Sequence, residues 1–369
     1  MSIINISTAM VLVPLTLLFA LTTTGFEAEN DSISPVLDHY FSTVFDANQP
    51  GGAVALVQND SLIYQAGFGL ADIETRAQIT VNTLFNLGSI SKTFVANGIL
   101  MLQEQGKLSV EDNLLKYFPE FKNQDFARTI KISHLLTHTS GLPDNRNVAQ
   151  NPVFYLTAKD AENWYPVTQT DELVFPPGTK YQYSNPAFNA LALIIEKVSG
   201  VKWQEFIIEN IMRPSGMSTS TITDGPHPES GVSHGYVEEK GQWQELDYGE
   251  EPTFPAAGNG GVWSSVSELI LYEKALQNGT FLKPETIENS RTVKRFNNWQ
   301  GDTAPFIGWS WFIGKSPSGL RTVGHTGSQG GFLCNYVTVP EKNIHFIILC
   351  NTPRDVDGMT ERMFEILQL

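Results

Sequence analysis

Apolar and polar positions along the chain change period twice, which divides the sequence into three zones. Between Pro35 and Phe45 the apolar residues Val36, Leu37, Tyr40, Phe41, Val44 and Phe45 recur at helical spacing. Two compact apolar runs follow, Gly52 to Val57 and Leu62 to Phe68, and Asn59-Asp60 between them is a hairpin signal. From Gly88 to about Gln277 helical patterns take over, over Ser89 to Gln105, Ile132 to Thr137, Pro186 to Val198 and Ser265 to Leu276. Beyond Ile307 the pattern returns to strands, Ile307 to Ile313, Thr322 to His325, Phe332 to Val339 and Ile344 to Leu349, and ends in a helix from about Val356 to Leu367. Strands at both ends with helices between predict an α/β (α+β) chain. An antiparallel sheet flanked by helices is built from residues 29–85 and 285–369, with an all-α region inserted at 86–284. Pockets tend to form where such regions meet.

The helix predicted over Ser89 to Gln105 is unusual in being apolar nearly all round, with Phe94, Val95, Ile99, Leu100, Met101 and Leu102 covering most of its circumference. A buried helix is implied, and Lys92 in its first turn is desolvated with it. Three residues earlier stands Ser89, so one helical turn puts a hydroxyl and an amine on one face. A serine hydroxyl becomes a useful nucleophile only beside a base, and a lysine serves as that base when burial lowers its affinity for a proton. The helix start adds backbone N–H groups and a positive dipole beside Ser89, which favour a developing anion. Ser-x-x-Lys alone is a weak signal: Ser199 and Lys202 repeat it across Gly200, which reads as a helix stop.

Two further stretches carry chemistry. Tyr183-Ser184-Asn185 precedes the helix that starts near Pro186, where a phenol can relay a proton and an amide can both accept and donate. Gly324-His325-Thr326-Gly327-Ser328-Gln329-Gly330-Gly331 lies among the late strands, and its glycines admit close approach of backbone to a ligand. The Ser328 N–H is a candidate partner to that of Ser89 in an oxyanion hole.

In this order, Ser-x-x-Lys, Tyr-x-Asn and His-Thr-Gly resemble the three motifs of serine β-lactamases and penicillin-binding proteins. With Tyr-Ser-Asn in the middle, the resemblance is to the class C β-lactamase and DD-carboxypeptidase branch, which also holds esterases and D-aminopeptidases. Segments outside the motifs look like that branch too, among them Pro50 to Ala55, Leu84 to Lys92, Gly106 to Ser109, Leu135 to Pro143 and Gly260 to Ser265. The resemblance runs from about residue 34 to the end and implies a DD-peptidase/β-lactamase-like fold. It implies that Ser89 is the acylated nucleophile, that Lys92 and Tyr183 move its protons, and that the Ser89 and Ser328 N–H groups form the oxyanion hole. Asn185, His325, Thr326 and Gly327 are then expected to meet the substrate. His325 departs from the lysine usual at this place in class C β-lactamases. An imidazole near its ordinary pKa of about 6.5 is partly charged at neutral pH, so weaker or pH-dependent recognition of anionic substrates is expected.

Composition narrows the rest. With 41% hydrophobic and 17% charged residues the chain is globular, and a net charge of −15 argues against nucleic acid or an anionic membrane as partner. Met10 to Leu21 is apolar apart from Pro14 and Thr16, too short for a comfortable span, and reads as a signal-peptide core with cleavage near Gly25 or Ala28. No Lys or Arg precedes Arg76, which keeps an uncleaved anchor open. Either reading of residues 1–28 implies an exported, periplasmic or extracellular protein.

Cys334 and Cys350 flank a hairpin at Pro340 to Asn343. A four-residue loop puts them on opposite faces and a three-residue loop sets them across from each other. His134 and His138 are expected in core or capping roles, and His39, His227, His234 and His345 show no ligand spacing. No cofactor or metal is expected. Carboxylates in the acidic, aromatic stretch Glu238 to Glu251 are either solvated loop charge or a site for a substrate amine. The favoured expectation is an acyl-enzyme hydrolase of D-amino-acid-containing peptides, of D-alanyl-D-alanine carboxypeptidase or D-aminopeptidase type. A β-lactamase, a carboxylesterase and a penicillin-binding sensor with little turnover are the alternatives.

Overall fold

A computed structural model describes residues 24–144, 158–222, 228, 230–245 and 257–369, with side chains from residue 33 onward. Its centre is a six-stranded antiparallel sheet made from β1 (Gly52–Gln58), β2 (Ser61–Phe68), β3 (Phe312–Lys315), β4 (Arg321–Gln329), β5 (Phe332–Val339) and β6 (Ile344–Cys350). The order across the sheet is β3-β4-β5-β6-β1-β2. β1, from the beginning of the chain, pairs with β6, from its end, so the two termini close one sheet. Asn59 and Asp60 both adopt positive φ, 51° and 62°, as the tight turn between β1 and β2 needs.

β6 is buried along its whole length, because both sheet faces are covered. On one face Val54, Leu56, Phe346 and Ile348 meet Phe41 of α1 (Thr24–Val44), Phe45 just beyond its end, and Met359, Met363 and Phe364 of the last helix (Val356–Ile366). On the other, Ala53, Ala55, Ile347 and Leu349 join one large core with the helical region. Three helices of that region matter for the site: α2 (Ser91–Glu104), α3 (Asn185–Ser199) and α4 (Val266–Gln277). α2 is buried without interruption from Ser91 to Leu102, as its all-round apolarity implied. At the far end of α3, Gly200 takes the left-handed conformation that stops the helix, and Lys202 lies beyond it beside Glu196.

Three expectations are settled or revised by the register. Four residues connect β5 to β6, Cys334 pairs with Leu349 and Leu333 with Cys350, so the two thiols lie on opposite faces, both free and buried. Ile307 to Ile313 is not a continuous strand. Ile307 bridges back to Phe312 around Ser310 (φ 69°), and the run is apolar because Ile307, Trp309 and Trp311 fold into the core. β4 runs on to Gln329, past the expected end at His325, so the glycine-rich motif is itself strand.

α4 is tied down by a buried ion pair. Arg291 Nη1 and Nη2 donate to Glu273 at 2.8 and 2.6 Å, and the Tyr336 hydroxyl donates to the same carboxylate. Burial alone would raise the Glu273 carboxyl, but Arg291 outweighs it and holds it below its ordinary pKa. Removing one partner leaves a buried charge uncompensated, so Arg291→Ala is expected to destabilise the fold by about 3–5 kcal/mol in urea unfolding. Because the carboxyl is lowered, the pair's contribution is present above the ordinary carboxylate range and is lost as pH falls through its folded pKa. The variant therefore loses less stability than the parent on acidification.

Candidate active site

Ser89 sits in a single 3-10 turn, Gly88–Ile90, that leads into α2. Gly88 there has φ 49°, and a Cβ on it would lie 2.6 Å from the Ser328 backbone nitrogen. A Cβ on Gly327 would lie 2.0 Å from the Leu87 carbonyl oxygen. These two glycines let the turn and β4 touch, which brings the backbones of Ser89 and Ser328 to one place. Lys92, one turn on, has no solvent exposure. Its Nζ lies 3.0 Å from Ser89 Oγ, donates to the Asn259 carbonyl at 2.6 Å, and stands 5.1 Å from the centre of the Tyr183 ring.

Tyr183 and Asn185 enter from the start of α3. Ser184, rather than Asn185, is the helix cap: its Oγ accepts the Ala187 N–H, which leaves the flanking side chains free of that task. Ser89, Tyr183, Asn185, His325, Thr326 and Ser328 line one cleft of about 360 Å³ together with Phe312 of β3. Gly327, expected among the substrate contacts, does not line it. It is buried behind the wall against Leu87, where only the absence of a side chain is useful.

His325 corrects a second expectation. Burial, with the nearby Lys92 charge, lowers its pKa to about 3, so the imidazole is neutral across the physiological range. Nδ1 lies 2.6 Å from the Thr326 carbonyl oxygen, an acceptor only, so the proton is on Nδ1. The Phe312 ring packs against it at 4.8 Å. The cleft therefore has no cation at the place where class C enzymes carry lysine.

His138 was expected in a core or capping role, and its surroundings are more specific than that. It is fully buried and its ring stacks on Tyr183 at 4.3 Å. Its Nδ1 accepts the Ser184 N–H at 3.0 Å and its carbonyl accepts that of Gln182 at 2.9 Å, so it holds the Tyr-Ser-Asn segment on both sides. Burial, then the nearby Lys92 charge, lowers its pKa well below the usual value. Asn259, Phe312 and His138 had no separable signal in the sequence, because each contributes a carbonyl, a ring face or a tautomer. The described carboxylates of the acidic stretch form a hairpin, Tyr236–Glu239 with Gln242–Glu245, that does not line the cleft, and the part from residue 246 lies outside the described residues.

A hydroxyl against an amine, in a cleft that Ser89, Tyr183 and Ser328 line together, can carry out acyl transfer. The family model described as Beta-lactamase matches residues 37–368. The chain belongs to the Beta-lactamase family. It is similar to "Penicillin-binding protein 4*" of Bacillus subtilis (strain 168), at 29% identity over 87% of this chain and 72% of that one. It is also similar to the D-alanyl-D-alanine-carboxypeptidase/endopeptidase AmpH of Escherichia coli (strain K12), at 23% identity over 88% and 86%. Among solved structures, the octameric penicillin-binding protein homologue from Pyrococcus abyssi superimposes with a TM-score of 0.74 at 26% identity, covering 87% of this chain and 73% of that one. This member of the Beta-lactamase family is a serine hydrolase.

The two histidines give the site a measurable fingerprint. Ring-nitrogen NMR is expected to show His138 protonated at Nε2 and His325 at Nδ1, both unchanged from pH 8 to 5. An imidazolium signal from His325 above pH 5 would contradict the assignment. With both folded pKa values lowered, stability is present above the unfolded imidazole pKa of about 6.5 and declines as pH falls below it.

Proposed function

We propose that the protein is an exported hydrolase that forms an acyl-enzyme on Ser89 and acts on D-amino-acid-containing peptides and related amides or esters. The observation that carries this reading is the 3.0 Å approach of Lys92 Nζ to Ser89 Oγ at the edge of a cleft lined by Tyr183, Asn185 and β4. The family membership and the penicillin-binding and carboxypeptidase names of the relatives support it. Export rests on the apolar stretch at Met10 to Leu21, which lies outside the described residues. No helix among the described residues is long and apolar enough to cross a membrane.

In the proposed cycle Ser89 Oγ attacks the substrate carbonyl carbon while its proton passes to Lys92, with Tyr183 as relay. The carbonyl oxygen becomes an anion facing the Ser89 and Ser328 N–H groups. Collapse breaks the bond to the leaving nitrogen or oxygen, which takes up the proton, and leaves an ester on Ser89. A water, deprotonated by the same pair, attacks that ester and releases the acid and the free hydroxyl. Asn185 donates to the substrate amide, and Thr326 faces its tail across the cleft.

Charge at the leaving-group side decides between substrates. The neutral His325 and the Phe312 ring offer little to a free carboxylate, which favours an ester, an amide or an internal peptide bond over a C-terminal D-Ala-D-Ala. On this account His325→Lys raises kcat/KM for a D-Ala-D-Ala peptide about tenfold relative to a short-chain nitrophenyl ester, the scale of one charge-assisted hydrogen bond. Equal changes for both substrates would remove the link to charge.

Intact-protein mass after incubation with a fluorescent penicillin tests the reaction itself. A one-to-one adduct that Ser89→Ala abolishes is expected. Lys92→Ala and Tyr183→Phe are each expected to slow turnover by a factor on the order of a hundred or more, as loss of a general base does. Unchanged turnover in Ser89→Ala would end the proposal.

A further inference from the structure

The Asn259 carbonyl that takes the Lys92 amine sits on a tight turn, in which the Gly260 and Gly261 N–H groups both reach back to the Ala257 carbonyl. This turn is pressed onto α3: a Cβ on Gly258 would lie 2.6 Å from Ala192 Cβ and 2.7 Å from the Phe188 carbonyl. What orients it is a buried carboxylate far away in sequence. Asp160 Oδ1 accepts the Gly258 N–H at 2.8 Å and the Asn189 amide at 2.8 Å, while Oδ2 accepts the Trp203 indole N–H at 2.8 Å. The same Asn189 amide also donates to Asn259 Oδ1 at 2.9 Å. Asp160 therefore grips both residues of the Gly258-Asn259 step, one directly and one through Asn189.

We infer that Asp160 is a positioning residue for Lys92, acting through Asn189 and the Gly258-Asn259 turn. The inference rests on the proposed role of Lys92 as base. Three donors converge on Asp160, two on Oδ1 and one on Oδ2, which suits a carboxylate that accepts at both oxygens. Stability alone does not account for it. Burial raises its pKa to about 7, and the three hydrogen bonds only partly offset this. A raised carboxyl gives stability that is full below its unfolded pKa and lost as pH rises through the folded one. At and above neutral pH the ionised Asp160 thus costs the fold free energy, as expected of a group kept for function. Its separation from Lys92 by an uncharged amide matters as well. A direct carboxylate contact would hold the ammonium form, whereas a carbonyl orients the amine with less demand on its charge.

The test compares variants by kcat per active site, with sites titrated from the nitrophenol burst of an activated ester. Asp160→Ala is expected to lower kcat roughly tenfold or more with KM changed less than about threefold, the signature of a misplaced base rather than weakened binding. Asn189→Ala, which removes the bonds to Asp160 and to Asn259 but leaves the Gly258 N–H on Asp160, changes kcat in the same direction by a smaller factor. Asp160→Asn, which keeps one acceptor oxygen, falls between Asp160→Ala and the parent. Trp203→Phe removes the third bond to Asp160 without touching the turn, so it lowers the thermal midpoint and leaves kcat per site within about twofold. If Asp160→Ala does not fold, Asn189→Ala and Asp160→Asn decide. The inference fails if these variants keep the parent's kcat per site, or if Trp203→Phe loses as much as they do. A parent protein that forms no adduct on Ser89 overturns the proposed reaction first, and that result is read before any variant is compared.

Discussion

An amine with no access to solvent must find its hydrogen bonds inside the protein or give up its proton. Lys92 meets that demand with the Ser89 hydroxyl and the Asn259 carbonyl, and most of the fold around it follows from keeping those two groups in place. The hydroxyl is one helical turn away, so it needs only a rigid α2. Rigidity comes from burying α2 on every side, which requires helices around it and the sheet beneath. The carbonyl comes from a turn distant in sequence, and it depends on α3, Asn189 and Asp160. A chain that buries a lysine this way has to assemble its site from the sheet and the helical region together.

The second constraint is backbone contact. For two N–H groups to serve one oxyanion, as the proposed reaction asks, the turn at Ser89 and the strand at Ser328 must approach more closely than side chains allow. Gly88 and Gly327 remove those side chains, each where a Cβ would overlap the other segment. β4 can reach that point only because β5, β6 and β1 hold it in one sheet, and β1 joins that sheet from the opposite end of the chain. The closure of the two termini is thus connected to the chemistry, since the register of β4 sets where Ser328 and His325 fall.

Much of this was legible in the sequence because it depends on period and residue type. Apolar period located the hairpin at Asn59-Asp60, the buried α2 and the late strands, and the three motifs named every residue that lines the cleft except Phe312. Loop length left two geometries for Cys334 and Cys350, and only the pairing of Cys334 with Leu349 resolves them. The run from Ile307 to Ile313 misled because a folded-back segment and a strand bury the same residue types. Charge state was less legible still. His325 is neutral through its burial and the nearby Lys92, and no local pattern in the sequence encodes either. Asp160 illustrates the limit, since its three donors come from residues 189, 203 and 258 and no spacing relates them to it.

Glu273 and Asp160, two of the buried carboxylates among the described residues, are used in opposite ways, and the difference is physical. Glu273 contacts Arg291 directly, so each charge compensates the other and the carboxyl is lowered. Asp160 meets only uncharged donors, and its carboxyl is raised. Direct pairing is the better arrangement for a group that has to stay ionised and hold an element in place. It is the worse one near a base, because a carboxylate touching Lys92 would fix the ammonium form that cannot accept the Ser89 proton. Placing Asn189 and the Asn259 amide between the two transmits orientation while keeping the charges apart. A lysine held in that way can be both immobile and able to exchange a proton, which are the two properties the proposed acyl transfer asks of it.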